Sequence, residues 1–382
     1  MKLKYLYYFF DVHACIHMSK NSYSITRDSS FSCSEEVKGI QSNVCQSISV
    51  EVKSFLMNSE FEDLLNKASE FLNDFETIEI QVSERYKSDR PEILHQIDLH
   101  TLTIVEYTCQ NATYIANLDS SDFINEMERF VQRCRADSIE CDRFTIDDIQ
   151  RFPILFDSSA ATSLTHELFG HMFEFDNFLR YNYIDLMKDV EALCLDIKDN
   201  PEAVPELCLS HKDDALVDTK LVTMFENGVF TGELIGGSFI EKLCVRNFRR
   251  QKLNQHVYPR MSTLCVFRQE PDKGYAHPKN YYRIPAIKHA KVNHRTKTVS
   301  LGIPFMYFIF DNIIHAVAAD LTFVCSIKEV LNSVLPYNST SSDVSLLKCM
   351  KREQTLFCGV MTVNWLLSGD LNKRGVFRDI SS

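Results

Sequence analysis

Residues 158–175 read SSAATSLTHELFGHMFEF. The stretch predicts a helix, and it carries His166, Glu167 and His171 in the string HELFGH. Two histidines and a glutamate on one short helical segment point to a transition-metal site. Neutral imidazoles suit Zn²⁺, and a glutamate beside the first histidine can act as general base toward a water that the metal activates. The spacing is one residue longer than that of the familiar metalloprotease helix. Histidines at i and i+4 stand roughly 40° apart around a regular helix, whereas i and i+5 leaves roughly 140°. Both can face one metal only if the helix is distorted between them. A single-turn π-bulge, or a helix end at Gly170, would bring His171 back toward His166. A structural reading stays open on the pattern alone, with His171 facing solvent and His166 a satisfied core residue.

The rest of the chain sets the frame for that helix. Its 382 residues predict two or three domains. Apolar residues make 45% and charged residues 24%, which excludes disorder as the main state. With 41 basic and 52 acidic residues the net charge is −11, so composition gives no pull toward nucleic acid or anionic lipid. The 13 cysteines are odd in number and scattered, and no CxxC pair occurs. They read as mostly reduced thiols in a cytoplasmic protein. The opening MKLKYLYYFFDVHACI imitates a signal peptide, but Asp11 and His13 interrupt the apolar run. The longest apolar candidate, Leu301 to Phe310, is too short to span a membrane and reads as a buried strand.

Three segments follow from patterning. Residues 1–52 have weak periodicity and read as an irregular extension. Residues 53–145 read as an α+β domain. Ser59 and Glu62 form a capping box ahead of an apolar stripe from Phe61 to Phe75. TIEIQVSE (77–84) and Leu99 to Tyr107 read as strands, and Ser121 caps a second helix. Residues 146–382 read as a strand-rich domain around the HELFGH helix. In it Asn227-Gly228 joins two apolar runs as a tight hairpin, and Val299 to Phe310 is a strand. The expected fold class is α+β, an N-terminal α/β unit followed by a strand-rich C-terminal domain. No G-x-G-x-x-G and no P-loop occurs.

Four blocks extend the helix into a family resemblance. LTHELFGHMFEFD resembles the H-E-x-x-G-H-x-x-E-x-D signature of the TldD/PmbA family of metalloproteases. LVTMFENGVFTGEL (221–234) resembles that family's E-N-G hairpin, NFRRQ (247–251) its G-N-x-R-R segment, and YPRMSTL (258–264) its P-R-M-T-N-T segment. Residues 77–149 resemble the family faintly, residues 266–382 poorly and residues 1–52 not at all.

The resemblance implies one Zn²⁺ per chain, held by two histidines and a distant cysteine, with a catalytic glutamate. Carried over, these are His166, His171 and Glu167. The cysteine falls in a C-G-K-x-G-Q-type segment, for which Cys358-Gly359 is the candidate, without the lysine or the later Gly-Gln. Cys349 and Cys325 are the fallbacks, and a buried inert thiol is the structural reading of Cys358. Glu174 and Asp176 complete the signature. Glu174 reads either as a carboxylate that orients a ligating histidine or as an ordinary helix-end residue. Arg249, Arg250 and Arg260 read either as binders of a substrate carboxylate or as structural ion-pair partners. His211 reads as solvated.

The implied activity is zinc-dependent hydrolysis of extended or unstructured peptides. Leader-peptide removal from a ribosomally made precursor is an example. The chain would act as a homodimer, or as a heterodimer with a TldD/PmbA-like paralogue. A catalytically silent, peptide-binding subunit of such a protease is the first alternative. A different metal-dependent hydrolase or an iron oxygenase is the second, since two histidines and a carboxylate also hold iron.

Overall fold

The structure is a computed structural model. It describes residues 8–19, 22–33, 77–88, 98–109 and 112–117, and from residue 142 onward all but 205–212, 216, 242, 245, 252–254, 269–277, 338–343, 375 and 380–382. The chain divides into two compact units, Met1–Asp137 with Arg250–His256, and Ser138–Arg249 with Val257–Ser382.

The first unit holds a five-stranded antiparallel sheet of β1 (Tyr8–Ser19), β2 (Ser22–Cys33), β3 (Thr77–Ser88), β4 (Asp98–Cys109) and β5 (Ala112–Asn117), in the order β2-β1-β3-β4-β5. β3 and β4 cover the two strands expected from alternation. Residues 8–33 form the β1–β2 hairpin of this sheet and are not an irregular extension. Phe10, Val12, Ala14, Ile16 and Met18 alternate with Asp11, His13, Cys15 and His17, the period-2 signature of a strand. The aromatic run at the start masks that alternation. The helices expected from Ser59 and from Ser121 lie outside the described residues.

Two larger sheets build the second unit. The strands that matter for the site are β6 (Ile154–Phe156), β7 (Leu195–Asp199), β8 (Val222–Glu226), β9 (Val229–Phe230) and β10 (Thr263–Arg268). After them come β11 (Asn280–Ile284), β12 (His289–Asn293), β13 (Thr298–Phe310), β14 (Ile313–Ser326) and β15 (Val334–Tyr337). The last are β16 (Ser345–Lys351), β17 (Gln354–Met361), β18 (Asn364–Leu367) and β19 (Phe377–Asp379). One sheet runs β9-β8-β7-β10-β17-β16, with β10 and β17 parallel. The other runs β15-β18-β6-β11-β13-β14-β19, with β12 added beside β13. Asn227 and Gly228 both take positive φ, 53° and 69°, as the tight β8–β9 turn requires. The predicted strand at Val299 to Phe310 is β13, with Val299, Leu301, Ile303, Met306 and Ile309 buried.

The HELFGH segment runs through the middle of this core. It begins as α1 (Ser158–Thr165), widens into a π-turn (His166–Gly170) and tightens into a 3₁₀ turn (His171–Phe173). Ala160, Ala161, Leu164, Leu168, Phe169, Met172 and Phe173 are all at most 1% exposed. Thr162, Ser163, Thr165, His166, Glu167 and His171 are buried as well, so the segment is enclosed on every side. Thr165 anchors it just before His166. Its hydroxyl accepts from Trp365 Nε1 at 2.7 Å and pairs with the Thr362 hydroxyl at 2.7 Å. Trp365 is itself fully buried, a burial of a kind that stabilises by about 2–3 kcal/mol. Among the described residues, no helix is long and apolar enough to cross a membrane.

Candidate metal centre

The one-residue excess between the histidines is absorbed in the backbone. The His171 N–H donates to the His166 carbonyl, a hydrogen bond spanning five residues where an α-helix spans four. The widened turn brings the two imidazoles to the same side, with ring centroids 4.7 Å apart and planes at 79°. Gly170 closes the turn at ordinary helical dihedrals, φ −67° and ψ −67°. Its glycine is a matter of space, because a Cβ there would collide with the Met261 thioether.

The β16–β17 hairpin supplies the sulfur. Its register pairs Leu347 with Cys358, Cys349 with Leu356 and Lys351 with Gln354. Side chains alternate along a strand, so Cys349, Lys351, Gln354 and Cys358 share one face, and all four are buried. Cys349 Sγ lies 3.5 Å from His171 Nε2. His166, His171 and Cys349 offer donor atoms that all lie within 4.8 Å of one another, and such a buried group could bind a metal ion. Cys358, the expected third ligand, stands beside this trio with Sγ 3.4 Å from His166 Nδ1. Cys325 sits elsewhere, its thiol donating to Glu329 Oε2 at 3.6 Å.

The signal for Cys349 was in the sequence. Cys349, Lys351 and Gln354 keep the cysteine, lysine and glutamine of C-G-K-x-G-Q at their offsets, with Met350 and Glu353 in place of the glycines. Arg352 and Glu353 form the hairpin turn with φ of 49° and 65°, so Glu353 adopts the left-handed conformation that glycine takes freely.

Behind the trio lies a buried charge network. After Phe173 the backbone becomes extended at Glu174 and is clamped to Ile235 by two backbone hydrogen bonds, Phe175 N–H to the Ile235 carbonyl and Ile235 N–H to the Phe173 carbonyl. Glu174 is thereby aimed back at the helix, with Oε2 3.1 Å from His171 Nδ1. The same oxygen accepts from Asn177 Nδ2 at 2.9 Å and lies 3.0 Å from Lys351 Nζ. Lys351 also donates to Asp176 at 2.7 Å and to the Pro259 carbonyl at 2.9 Å.

These contacts set protonation. Burial opposes charge on His171, but the sulfur of Cys349 and the carboxylate of Glu174 outweigh it and hold its pKa well above the usual range. Burial likewise opposes ionisation of Glu174, and the Lys351 and His171 charges outweigh it and lower its pKa. For Cys349 burial acts upward, while the hydrogen bond from Cys358 and the charges of His171, His166 and Arg260 carry the pKa well below the thiol value. Glu167 is buried with Oε1 3.9 Å from His166 Nε2.

Arg260 and Arg249 are occupied within the fold. Arg260 is 1% exposed. It donates to the Cys349 carbonyl at 2.7 Å, to Cys349 Sγ at 3.1 Å and to the Gln354 carbonyl at 3.4 Å, and its Nε stands 3.9 Å from Glu174 Oε1. Arg249 donates to the Met261 and Phe357 carbonyls at 2.6 and 2.8 Å. Both tie the hairpin in place. His211 lies outside the described residues.

Nothing in the sequence pattern marked His294, in the β12–β13 turn. Its ring lies 6.2 Å from that of His171 and stacks on Tyr181 at 5.0 Å, and its Nδ1 is 2.8 Å from the Tyr183 hydroxyl. Burial and the His171 charge push its pKa down to about 4, so it is neutral near pH 7.

The chain matches the family pattern of the PmbA/TldA metallopeptidase C-terminal domain over residues 149–361. Its fold is that of TldE from Thermococcus kodakarensis, at 13% identity and TM-score 0.63 over 95% of each chain. It is similarly close to a candidate modulator of a DNA gyrase from Thermotoga maritima, at 14% identity and TM-score 0.59 over 95% of this chain and 94% of that one. A candidate modulator of DNA gyrase from Bacteroides thetaiotaomicron shares it at 10% identity and TM-score 0.57, over 95% and 93%. No curated protein sequence matches the chain.

Proposed function

Since the chain belongs to the TldD/PmbA metallopeptidase family, we propose that it is a zinc-dependent peptidase acting on extended or unstructured peptides. The observation that carries this reading is the convergence of two imidazoles and a thiol in a buried cluster, with Glu167 directly beside His166. Two nitrogens and a sulfur are a donor set that suits Zn²⁺. His166, His171 and Cys349 would hold the ion, and Glu174 would fix the His171 tautomer by accepting from Nδ1–H, leaving Nε2 to face the ion.

Zinc at that position would supply Lewis acidity, polarising a carbonyl and making a water acidic near neutral pH. Glu167 would take the proton from the attacking water at a carboxylate oxygen and hand it to the leaving amine. Sulfur in the donor set and the anionic Glu174 behind it favour a slow, selective enzyme. An extended substrate would pair along a strand edge, which gives affinity through the main chain and little sequence selectivity. Removal of leader peptides from ribosomally made precursors fits that mode. The enzyme would work as a homodimer, or as a heterodimer with a TldD/PmbA-like paralogue, in the cytoplasm.

The test is cleavage of an unfolded peptide mixture by the zinc-loaded full chain, followed by mass spectrometry, with Glu167→Gln alongside. The variant should keep its metal and lose about 10²- to 10⁴-fold in rate, the usual contribution of a general base. Equal cleavage by wild type and variant, or cleavage that survives a chelator, would refute the reading. A chain that binds zinc and cleaves nothing would instead support the silent, peptide-binding subunit.

A further inference from the structure

Cys358 has no part in the three-donor site just described, yet it does not have the surroundings of an inert core thiol. It is 1% exposed. Its Sγ lies 3.4 Å from Nδ1 of His166, shares a hydrogen bond with the Cys349 thiol, and stands 3.8 Å from the Leu347 carbonyl. The hairpin register explains the meeting. Cys358 is directly opposite Leu347, and Cys349 is two residues further along the same face, so the two sulfurs are diagonal cross-strand neighbours.

Two of the separations have the length of an edge of a zinc tetrahedron, although the Cys358 sulfur lies outside the 4.8 Å group that the other three donors form. With Zn–S near 2.3 Å and Zn–N near 2.0 Å, a nitrogen and a sulfur on adjoining vertices stand about 3.5 Å apart. Two such edges are already in place, at 3.5 Å between His171 Nε2 and Cys349 Sγ and at 3.4 Å between His166 Nδ1 and Cys358 Sγ. The two edges are joined by the edge-on imidazoles on one side and by the hydrogen bond from Cys358 to Cys349 on the other.

We infer that the metal centre of this chain has four protein donors, His166, His171, Cys349 and Cys358, with the histidines using the ring nitrogens that face the sulfurs. The inference rests on the zinc reading above and changes its chemistry. Catalytic zinc sites keep one position open, whereas four protein ligands close it. With four protein donors bound, no position on the ion is left for a water, and one opens only when the Cys358 thiolate withdraws. Cys358 acts as a built-in competitor of the attacking water.

X-ray absorption on the zinc-loaded full chain counts the sulfur neighbours without any substitution. Two sulfurs near 2.3 Å are expected, and one sulfur overturns the inference. Cobalt titration of the reduced, metal-free chain gives an independent reading. The thiolate-to-cobalt absorption should fall about two-fold in Cys358→Ser and about two-fold in Cys349→Ser, with the ion still bound in each, and vanish in the double variant. A band unchanged in Cys358→Ser but lost in Cys349→Ser overturns the fourth donor and leaves the three-donor peptidase intact. A wild-type chain that takes up neither zinc nor cobalt overturns both.

Discussion

The Oε2 oxygen of Glu174 lies 3.1 Å from Nδ1 of His171, with the histidine buried and the carboxylate fully so. An imidazole held this way presents its other nitrogen with one tautomer and one orientation. Glu174→Gln keeps the shape but removes the charge. Metal affinity is expected to fall about 10- to 100-fold, the usual cost of losing such a partner. Competition against a chromophoric chelator measures it, and an unchanged affinity would make Glu174 an ordinary helix-end residue.

Lys351 is the counter-charge for that carboxylate, 3.0 Å from Glu174 and 2.7 Å from Asp176. Lys351→Met takes the lysine away from the fully buried Glu174, while Asp176 keeps Arg352 at 3.2 Å. Breaking a buried pair from one side costs about 3–5 kcal/mol. Denaturant melts of the two proteins should show a loss of that order, and a loss below about 1 kcal/mol would mean that the pair is effectively solvent-screened.

Gly170 and Met261 form a tight contact that accommodates the widened turn. Gly170→Ala should destabilise the fold by about 1–3 kcal/mol through overpacking. It should also weaken metal binding, because the turn carries both histidines. Adding Met261→Ala should recover part of the binding loss, a coupling that a double-mutant cycle reads directly. Strict additivity of the two changes would rule out the contact as the cause.

Asp199 is buried, and its pKa is pushed up to about 6 by that burial, against hydrogen bonds from the Ser262 and Thr263 N–H groups and from Asn247. A carboxyl whose folded pKa exceeds its unfolded value favours the fold when protonated. That contribution is complete below about pH 4 and is lost as pH rises through about 6. Metal-free chain should therefore gain stability from this group on going from pH 7 to pH 5. The gain should be absent in Asp199→Asn, and a variant that keeps the same pH dependence in thermal melts would contradict the assignment.

The local part of this molecule could be read directly. An i, i+5 histidine pair that must converge requires a π-turn or a break, and a π-turn is what forms between His166 and His171. Asn227-Gly228 specifies its turn because few residue pairs tolerate two positive φ values. Strands β3 and β13 declare themselves by alternation or by a buried apolar run. Each of these signals acts within a dozen residues, and the physics behind it is steric or periodic. The first hairpin, Tyr8–Ser19 with Ser22–Cys33, carried the same alternation beneath aromatic residues that resembled a targeting signal.

The sulfur side of the site was decided at longer range. Cys349 meets His171 across 178 residues of chain, and Cys358 meets His166 across 192. No local rule orders two cysteines nine residues apart in one hairpin. The strand register does, by turning both to the same face. Cys349 could have been weighted by the lysine and glutamine that follow it, whose reason becomes visible only when Lys351 is seen against Glu174 and Asp176. His294 had no such marker, because it reaches the site through a hairpin turn whose position depends on how two sheets pack. The residue types and spacing of the HELFGH helix therefore marked the candidate metal site. Which thiols stand beside the histidines follows from sheet register and packing, since those alone bring side chains so distant in sequence within a few ångströms of one another.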